Sequence, residues 1–390
     1  MSKAAETPQA VKKKIAFVIN SFGKGGAEHV AVNVAEHFWK NGYQILLVTS
    51  RKVPEEYEIT FPARRLLLEE EIKGAPFGRL GKVPARVRTL RAIWEREEPD
   101  IIVSFIGKMN LYTMCSVRGK RTPVILSVRS DPAHEYPSRF QKRLADRLFA
   151  RAAGVIFQTE DAMESFPAPV RAHSSVLPNV LDESFMKARW EGARANEIVM
   201  VGRLDANKNH EMLLRSFARL HHDYPQMKVV IYGGGLPGSD TQPMLRQLSM
   251  ELGIDHNVEF RGRQTNIREK IERARVFVLA SDYEGMPNAL LEAMAAGLAV
   301  VSTDCPCGGP RSVIRNGENG ILIPVGDGEA LERSLRQILD DPALEERLGR
   351  AAAGLAQELS PEKVCNKWQI EIESRADEYV GSKSQKKTRR

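Results

Sequence analysis

The chain has 390 residues and a formal net charge of +7, and hydrophobic residues make up 42% of it. This length and composition fit a folded protein with two domain-sized cores and exclude an intrinsically disordered chain. No apolar run approaches the about eighteen residues of a membrane span, and the opening residues contain no apolar signal core, so we expect a cytoplasmic protein. Its four cysteines show no zinc-type spacing and are interpreted as reduced thiols.

The first half of the chain alternates strands and helices. Residues 14–20 predict a buried strand, 21–26 a glycine-rich turn, 27–41 a helix and 44–49 a second strand, which together indicate a parallel sheet. The turn matches neither the dinucleotide-binding fingerprint nor a P-loop. The remaining predicted elements of this half are strands over 100–105, 123–128, 154–158 and 175–177 and helices over 86–97 and 139–152.

A basic region between residues 64 and 96 and a basic C-terminal end carry the excess charge. An anionic membrane surface or a phosphorylated lipid would explain this clustering, and a solvated helix face explains it equally well. We expect no nucleic-acid partner, because no recognisable reading module and few interleaved aromatic residues accompany the charges. The basic residues are Arg64, Arg65, Lys73, Arg79, Lys82, Arg86, Arg88, Arg91, Arg96, Lys383, Lys386, Lys387, Arg389 and Arg390.

Residues 181–196 lack periodicity and predict a linker, after which the alternation of strands and helices restarts. Because parallel strands direct the loops that follow them to one edge of a sheet, we expect a site at the carboxyl ends of the strands, in a cleft between two α/β halves. The predicted strands of the second half cover 197–202, 228–232, 258–260, 276–280 and 298–302, and the predicted helices cover 209–222, 242–253, 266–274, 287–296, 329–339, 343–358 and 361–379.

Two glutamates, Glu284 and Glu292, bracket the turn that follows the strand over 276–280. The helix that carries Glu292 would point its free N–H groups out of the carboxyl edge of the sheet. Taken alone, the pair could be surface acids at the start of a helix, where acids are favoured. The intervening Gly285-Met286-Pro287-Asn288 is small and apolar, which suits a backbone that a ligand approaches closely.

Two cations, Arg203 and Lys208, follow another strand of the same half. A guanidinium fork and an ammonium point charge can together hold both phosphates of a diphosphate. The glycines at 233–235 follow a third strand. Because these loops would converge at one edge of the sheet, the sequence predicts one polyanionic ligand between them.

These motifs together resemble the family 4 glycosyltransferases of the GT-B fold. The matching segments are 22–28 (Phe-Gly-Lys-Gly-Gly-Ala-Glu), 202–208 and the Glu-x7-Glu pair, and the resemblance extends over about residues 14–360. It implies an α/β chain of two Rossmann-like domains that face each other across a cleft. We place an acceptor-binding domain at 1–183, a nucleotide-sugar-binding domain at 184–362, a helix that packs back on the first domain at 363–380 and a basic disordered tail at 381–390.

The resemblance implies roles for the residues of the second domain. Arg203 and Lys208 would hold the diphosphate of a nucleotide sugar, Glu292 would bind the ribose hydroxyls, and Glu284 would bind the sugar hydroxyls. The backbone of Gly285, Met286, Pro287 and Asn288 would lie beside the sugar and phosphate. Gly25 and Gly26 would let a loop of the first domain close over the diphosphate, and the backbone near Gly234 and Arg263 would lie near the nucleotide.

Members of this family retain the anomeric configuration, and many carry a histidine after the fourth or fifth strand of the first domain. The corresponding segment here reads Ser-Val-Arg-Ser-Asp-Pro-Ala-His over 127–134, with Arg129 in the expected position of the histidine. We expect Arg129 and Asp131 to line the reaction centre, with His134 as the alternative replacement. Capping of a turn by Asp131 and Pro132 is the competing interpretation.

The expected activity is transfer of a hexose or N-acetylhexosamine from a nucleotide sugar, chiefly a UDP-sugar. The expected acceptor is a saccharide on polyprenyl diphosphate at the inner face of the cell membrane, in cell-surface glycan synthesis. No Asp-x-Asp occurs, so we predict no metal and no cofactor besides the nucleotide sugar as co-substrate. The alternatives are a nucleotide-sugar-binding or basic nucleic-acid-binding protein without transfer, and a GT-B epimerase or phosphorylase.

Overall fold

The computed structural model describes residues 13–72, 81–235 and 238–388. One compact unit comprises Met1–Val180 with Glu362–Arg390, and the other comprises Leu181–Pro361. Each unit holds one parallel sheet, which confirms the predicted α/β class. Of the predicted basic residues, Lys73, Arg79, Arg389 and Arg390 and the side chains of Lys82, Lys383, Lys386 and Lys387 lie outside the described part of the chain.

The sheet of the first unit has seven strands in the order β3-β2-β1-β4-β5-β6-β7. Its central strand β1 is a continuous apolar run from Ile15 to Ile19 that water does not reach, as expected for a strand covered on both faces. The strands are β1 Lys14–Ile19, β2 Gln44–Thr49, β3 Arg64–Leu67, β4 Ile101–Phe105, β5 Val124–Ser127, β6 Gly154–Phe157 and β7 Ser174–Val176.

The sheet of the second unit has six strands in the order β10-β9-β8-β11-β12-β13. Its central strands β8 and β11 are paired in register at Ile198 and Val276, so their following loops emerge side by side. The strands are β8 Ala195–Val201, β9 Lys228–Tyr232, β10 Val258–Phe260, β11 Ala274–Leu279, β12 Ala299–Thr303 and β13 Ile321–Ile323.

Helices connect these parallel strands, as crossover connections require. In chain order they are α1 Gly26–Lys40, α2 Leu68–Glu71, α3 Lys82–Glu97, α4 Gly107–Ser116, α5 Pro132–Glu135, α6 Arg139–Phe149, α7 Glu160–Glu164, α8 Ala168–Arg171, α9 His210–His221, α10 Gln242–Glu251, α11 Ile267–Ile271, α12 Asn288–Ala295, α13 Gly328–Asp340, α14 Pro342–Ala353, α15 Leu355–Glu358 and α16 Pro361–Thr388. Short 3-10 helices occupy Glu183–Met186, Ala206–Lys208 and Asp255–Asn257.

The C-terminal helix α16 belongs to the first unit, where the fully buried Trp368 stacks on Phe105 with 5.8 Å between ring centroids. The predicted disordered tail from residue 381 is wrong over 381–388, because the helix continues through Thr388. No proline interrupts this stretch, and one glycine inside a helix costs only about 1 kcal/mol. Within the described residues, no helix combines the length and apolar character that crossing a membrane requires.

Candidate functional site

Two loops at the carboxyl edge of the second unit's sheet bring Lys208 and Glu284 together. Lys208 ends the 3-10 helix that follows β8, and Glu284 lies in the loop between β11 and α12. The Lys208 Nζ and Glu284 Oε1 atoms form an ion pair, and the side chains are only 14% and 12% exposed. Because little water screens this pair, its charges interact more strongly than those of a surface ion pair.

Two further bonds hold the Glu284 carboxylate in place. Ser281 Oγ donates to the same Oε1 atom at 2.7 Å, and the Glu284 N–H donates to the Pro306 carbonyl at 2.9 Å. Gly309 lets the following loop approach closely, because a Cβ on it would lie 1.7 Å from the Gly285 carbonyl oxygen. On the side of Gly285 that faces Gly309, the chain that approaches closely is therefore the protein's own backbone.

Arg203 lies in the same loop as Lys208, but its side chain is exposed. Its guanidinium is 59% exposed, and its partner among the described residues is the Asp205 carboxylate, at 3.2 Å, in a surface ion pair of the kind that contributes little to stability. An exposed guanidinium with one partner keeps most of its donors for a ligand. Arg203 and Lys208 thus differ: Lys208 is held in place, and Arg203 can move to bind.

The glycines after β9 bring three loop backbones together. A Cβ on Gly233, whose φ is +142°, would lie 1.7 Å from the Gly202 carbonyl oxygen. The Gly233 N–H donates to the Gly262 carbonyl at 2.8 Å, and a Cβ on Gly234 would lie 3.3 Å from Arg263 Nε. The loops after β8, β9 and β10 therefore form one continuous wall, and the polyanionic ligand expected at this edge of the sheet stays a prediction.

Helix α12 begins beside this wall without a side-chain cap. Pro287 is its N-cap residue, and within the described chain no side chain forms a capping hydrogen bond there, so the helix dipole alone would stabilise an anion at this end. Met286 and Pro287 are buried, whereas Asn288 is half-buried.

Glu292 lies on the second turn of α12 and is half-buried. Removal from water, with a smaller contribution from the charge of Asp182, raises the pKa of this carboxyl to about 7. No hydrogen bond or ion pair joins the Glu292 carboxylate to another described residue. Glu292 is therefore a partly protonated group that can accept hydrogen bonds from hydroxyls.

His210, which sequence reasoning missed, lies next to this cluster. It is 2% exposed, and burial followed by the charge of Lys208 lowers its pKa to about 4. The imidazole is therefore neutral at physiological pH and adds no second cation beside Lys208. No sequence pattern distinguishes a buried, neutral histidine at the start of a helix, two residues after a lysine.

In the first unit, the glycine-rich loop before α1 is held by Glu56. The Glu56 carboxylate accepts hydrogen bonds from the Phe22 N–H at 3.4 Å and the Val53 N–H at 3.2 Å. It also binds the Arg65 guanidinium through two bonds, of 2.6 and 2.9 Å, which lower its pKa. This ion pair connects β3 to the loop that ends at Gly25 and Gly26.

Gly25 is the N-cap of α1 and Gly26 its first residue. The Gly25 N–H bonds to the Gly23 carbonyl at 2.7 Å, which tightens the turn. Among the described residues, no side chain forms a capping hydrogen bond at this N-terminus, where the positive end of the helix dipole lies.

Arg129 is engaged inside the first unit. Its guanidinium donates to the Leu177 carbonyl at 3.3 Å and to the Asn179 side chain, and it lies 5.3 Å from the centroid of the Trp368 ring. Burial lowers its pKa to about 9. Through these contacts, the Arg129 guanidinium links β7 and α16 to the end of β5.

Asp131 and His134 form a hydrogen-bonded pair on α5. Asp131 caps the helix by accepting from the Ala133 N–H at 2.9 Å, and its other oxygen lies 2.7 Å from His134 Nδ1. The His134 ring is 49% exposed. Asp131 therefore both caps the turn and orients the half-exposed His134 ring.

The neighbouring Glu135 bridges two strand ends, because its carboxylate accepts from the Gly107 N–H at 3.0 Å and the Arg129 N–H at 3.3 Å. Burial raises its pKa to about 7. No sequence pattern indicates Glu135, since a single acid after a histidine is not a recognisable motif.

Much of the predicted basic region is neutralised within the first unit. Arg88 and Arg91 remain on the exposed face of α3, the latter with an i,i+4 partner in Glu95 at 3.4 Å. The others with described partners are Arg64 with Glu97, Arg65 with Glu56, Arg96 with Glu71 and Glu97, and Arg86 over the Tyr112 ring.

In the part of the chain that the structure describes, no group of three or more histidine, cysteine, aspartate or glutamate side chains has the arrangement of a metal site. The two cysteines at 305 and 307 are buried thiols, and burial raises the pKa of Cys305 to about 12.

Two protein-family models match adjoining parts of this chain. The model for Glycosyltransferase Family 4 matches residues 24–185, and the model for glycosyl transferases group 1 matches residues 183–354. Together they extend from the glycine-rich loop of the first unit to α14 of the second. The chain belongs to glycosyltransferase family 4.

Characterised relatives of this family 4 glycosyltransferase include two enzymes of Campylobacter jejuni. GalNAc-alpha-(1->4)-GalNAc-alpha-(1->3)-diNAcBac-PP-undecaprenol alpha-1,4-N-acetyl-D-galactosaminyltransferase is 24% identical over 359 residues, which cover 91% of this chain and 97% of the relative. N-acetylgalactosamine-N,N'-diacetylbacillosaminyl-diphospho-undecaprenol 4-alpha-N-acetylgalactosaminyltransferase is 25% identical over 366 residues, which cover 90% and 97%. Both act on saccharides linked to undecaprenyl diphosphate.

Solved structures confirm the GT-B fold for this family 4 glycosyltransferase. HepE of Anabaena in complex with UDP superposes with a TM-score of 0.77 at 19% identity, covering 93% of this chain and 100% of HepE. The lipopolysaccharide outer core galactosyltransferase WaaB superposes with a TM-score of 0.72 at 20% identity, covering 93% and 99%. The predicted architecture of two Rossmann-like domains is therefore correct.

Proposed function

We propose that this glycosyltransferase moves a hexose or N-acetylhexosamine from a UDP-sugar to a saccharide carried on polyprenyl diphosphate, with retention of anomeric configuration and without a metal ion. The contact between Lys208 and Glu284 carries the proposal. It joins a cation suited to a phosphate and a carboxylate suited to sugar hydroxyls at one point of the sheet edge. In a nucleotide sugar, a phosphate and the sugar hydroxyls lie next to each other, so the two side chains match adjacent parts of the donor.

The donor lies along the wall formed by the loops after β8, β9 and β10 and against the adjoining loop after β11. Lys208 and the exposed Arg203 bind the diphosphate, Glu284 binds the sugar hydroxyls, and Glu292 accepts hydrogen bonds from the ribose. The backbone at Gly234 and Arg263 lies along the nucleotide. Gly25 and Gly26 of the first unit remain predicted contacts of the diphosphate.

Charge builds up on the departing UDP as the glycosidic bond breaks, and preorganised cations stabilise it. Lys208, Arg203 and the uncapped N-terminus of α12 provide that stabilisation in place of a divalent cation. Full activity in EDTA is expected. Activity that disappears in EDTA and returns with magnesium would overturn the metal-independent mechanism.

The reaction centre on the first unit involves the Asp131–His134 pair rather than the Arg129 guanidinium. The Arg129 guanidinium is buried and donates to Leu177 and Asn179, whereas the His134 ring is half-exposed. Asp131 fixes the orientation of the ring, and a hydrogen bond donated by Nδ1–H to a carboxylate is the usual way to set which histidine nitrogen faces a substrate.

The acceptor carrier is proposed from the relatives, which act on undecaprenyl-linked saccharides, and from the exposed basic face of α3. Arg88 and Arg91 on this face would attract the anionic inner surface of the cell membrane. The protein then works as a peripheral enzyme at the cytoplasmic face, close to the diphosphate of its lipid carrier.

A panel of UDP-, GDP- and ADP-sugars, assayed for nucleotide release with and without a polyprenyl-diphosphate-linked saccharide, tests the proposal. We expect acceptor-dependent release of UDP. Binding of a nucleotide sugar without release of nucleotide from any donor would instead favour a binding protein without transfer activity.

A further inference from the structure

Asn207 joins the two loops that carry Lys208 and Glu284. Its side-chain Nδ2 donates to the Tyr283 carbonyl at 3.1 Å, and its Oδ1 accepts from the Tyr283 N–H at 3.2 Å. Its own carbonyl accepts from the Asp282 N–H at 2.9 Å. One residue therefore makes three hydrogen bonds to the backbone of two consecutive residues of the other loop.

These three bonds directly flank the ion pair in both loops. Asn207 immediately precedes Lys208, and Tyr283 immediately precedes Glu284, although the two loops are 76 residues apart in the chain. A primary amide has both a donor and an acceptor, and here Nδ2 and Oδ1 bond the carbonyl and the N–H of the same residue, Tyr283. These bonds join the residues that precede Lys208 and Glu284, and they do not depend on the contact between Lys208 and Glu284.

A second asparagine supports the same junction from outside. Asn209 has a left-handed backbone with φ of +50°, caps α9 through its Oδ1, and donates from Nδ2 to the Asp282 carboxylate at 3.1 Å. It contacts an exposed side chain, whereas Asn207 contacts backbone, so Asn207 is the stronger constraint on loop position.

We propose that Asn207 is a positioning residue of the transferase. It holds the cation that binds the donor diphosphate and the carboxylate that binds the donor sugar at a fixed separation, before and during the reaction. The inference rests on the proposed donor site. It adds that the spacing of that site is set by backbone hydrogen bonds, so that it persists when the donor separates Lys208 from Glu284.

This role predicts a particular kinetic signature. Misplacement by about 1 Å at a reaction centre can cost about 100-fold in rate, whereas a long lysine side chain can still reach a phosphate. Asn207→Ala should therefore lower kcat by about 10- to 100-fold and change KM for the donor by less than about threefold. A merely structural residue would lower the amount of folded enzyme and leave kcat per folded molecule unchanged.

Asn257 provides a matched control in the same unit. Its Nδ2 also donates to two backbone carbonyls, those of Pro225 at 3.3 Å and Met227 at 3.0 Å, at the amino ends of β9 and β10. Asn257→Ala removes a similar number of bonds away from the donor site. It should leave kcat and KM unchanged.

The test combines kinetics with amide hydrogen exchange on the full-length enzyme. Exchange at Asp282 and Tyr283 reads the junction directly and requires no turnover, and we expect it to become at least about tenfold faster in Asn207→Ala but not in Asn257→Ala. A loss of kcat together with this faster exchange supports the proposal. Equal kcat losses in both variants, or an unchanged kcat in Asn207→Ala, would overturn it.

Failure of the donor assignment gives a different result. If the wild-type enzyme releases no nucleotide from any sugar donor, the proposed function is wrong, and exchange alone then decides whether Asn207 holds the two loops. Unchanged exchange at Asp282 and Tyr283 in Asn207→Ala would refute the positioning role regardless of activity.

Discussion

The Lys208 Nζ atom contacts the Glu284 Oε1 atom, although 76 residues separate them in the chain. Two mostly buried charges of opposite sign satisfy each other here without a ligand. Taking such a pair out of water is costly, and the cost is recovered only with good geometry and further hydrogen bonds, such as that from Ser281. Donor binding would replace this contact with one from Lys208 to phosphate and one from Glu284 to a sugar hydroxyl.

Removal of the Lys208 charge should act mainly on the chemical step. Lys208→Ala is expected to lower kcat/KM by about 10²- to 10³-fold, the usual loss when one preorganised group that stabilises developing charge is removed. Steady-state UDP release measures this. Lys228→Ala, which removes an ion pair with Glu259 at 2.9 Å on an exposed side chain, is the control and should retain wild-type rates. A Lys208→Ala enzyme as active as that control would contradict the role.

Glu292 should make donor affinity depend on pH. Its pKa of about 7 means that the carboxyl is largely protonated below neutrality, and a carboxylate accepts hydrogen bonds more strongly than the neutral acid. UDP affinity, measured by calorimetry, should therefore rise as pH increases from about 6 to about 8 and then level off. Glu292→Gln should bind UDP more weakly and lose this pH dependence; a slope that persists unchanged in the variant would rule out Glu292 as its source.

The same carboxyl should affect stability with the opposite slope. Because the pKa is raised to about 7 from an ordinary 4.5, the folded protein keeps a proton that the unfolded chain has lost between these values. The contribution of Glu292 to the free energy of unfolding is thus greatest below this window and is lost as pH rises through it. Glu292→Gln should flatten the pH dependence of stability between about pH 5 and 7 in denaturant titrations, leaving the similar contribution of Glu135.

Substitution of Arg129 should mainly lower stability, whereas substitution of His134 should mainly lower activity. Arg129→Ala removes the buried hydrogen bonds to the Leu177 carbonyl and the Asn179 side chain and should lower the free energy of unfolding by about 3 kcal/mol. His134→Ala removes a half-exposed ring and should change stability by less than about 0.5 kcal/mol while lowering kcat more than about tenfold.

His222 supplies the control for that comparison, because its ring is 98% exposed and lies 3.6 Å from the Asp223 carboxylate. His222→Ala should alter neither property. If His134→Ala keeps wild-type kcat, the Asp131–His134 pair is only a helix cap, which was the competing interpretation of this segment.

The exposed basic face of α3 should bind anionic vesicles. Each cation near such a surface contributes about 1 kcal/mol, so Arg88→Ser with Arg91→Ser should weaken binding about 30-fold in vesicle sedimentation at low salt. Arg315→Ser with Arg333→Ser, also on exposed side chains, is the matched charge control. Binding that is insensitive to 1 M salt would exclude electrostatic docking.

The sequence predicted most strands correctly because they are buried on both faces and appear as continuous apolar runs, as in β1 and β11. It missed β3, whose Arg64-Arg65-Leu66-Leu67 forms a half-exposed edge strand that resembles a charged loop. It also missed α4, which follows Ile106 with φ of +67°, a backbone conformation that no local pattern indicates.

For the candidate site, spacing and order were sufficient to select Arg203, Lys208, Glu284 and Glu292. The contacts between them were not predictable, because Asn207 and Tyr283 meet only when two strands distant in sequence lie side by side. The engagement of Arg129 with Asn179 and Trp368 likewise depends on β7 and α16 packing near the end of β5. Sequence patterns identify residues with suitable chemistry, and packing decides which of them remain accessible.

The most direct test of the central claim is the mass of the acceptor after incubation with a UDP-sugar. In EDTA, the wild-type enzyme should increase the mass of a polyprenyl-diphosphate-linked saccharide by one hexose or N-acetylhexosamine residue, and Lys208→Ala should do so at least about 100-fold more slowly. An acceptor of unchanged mass with every UDP-sugar, or equal transfer by both enzymes, would contradict the account.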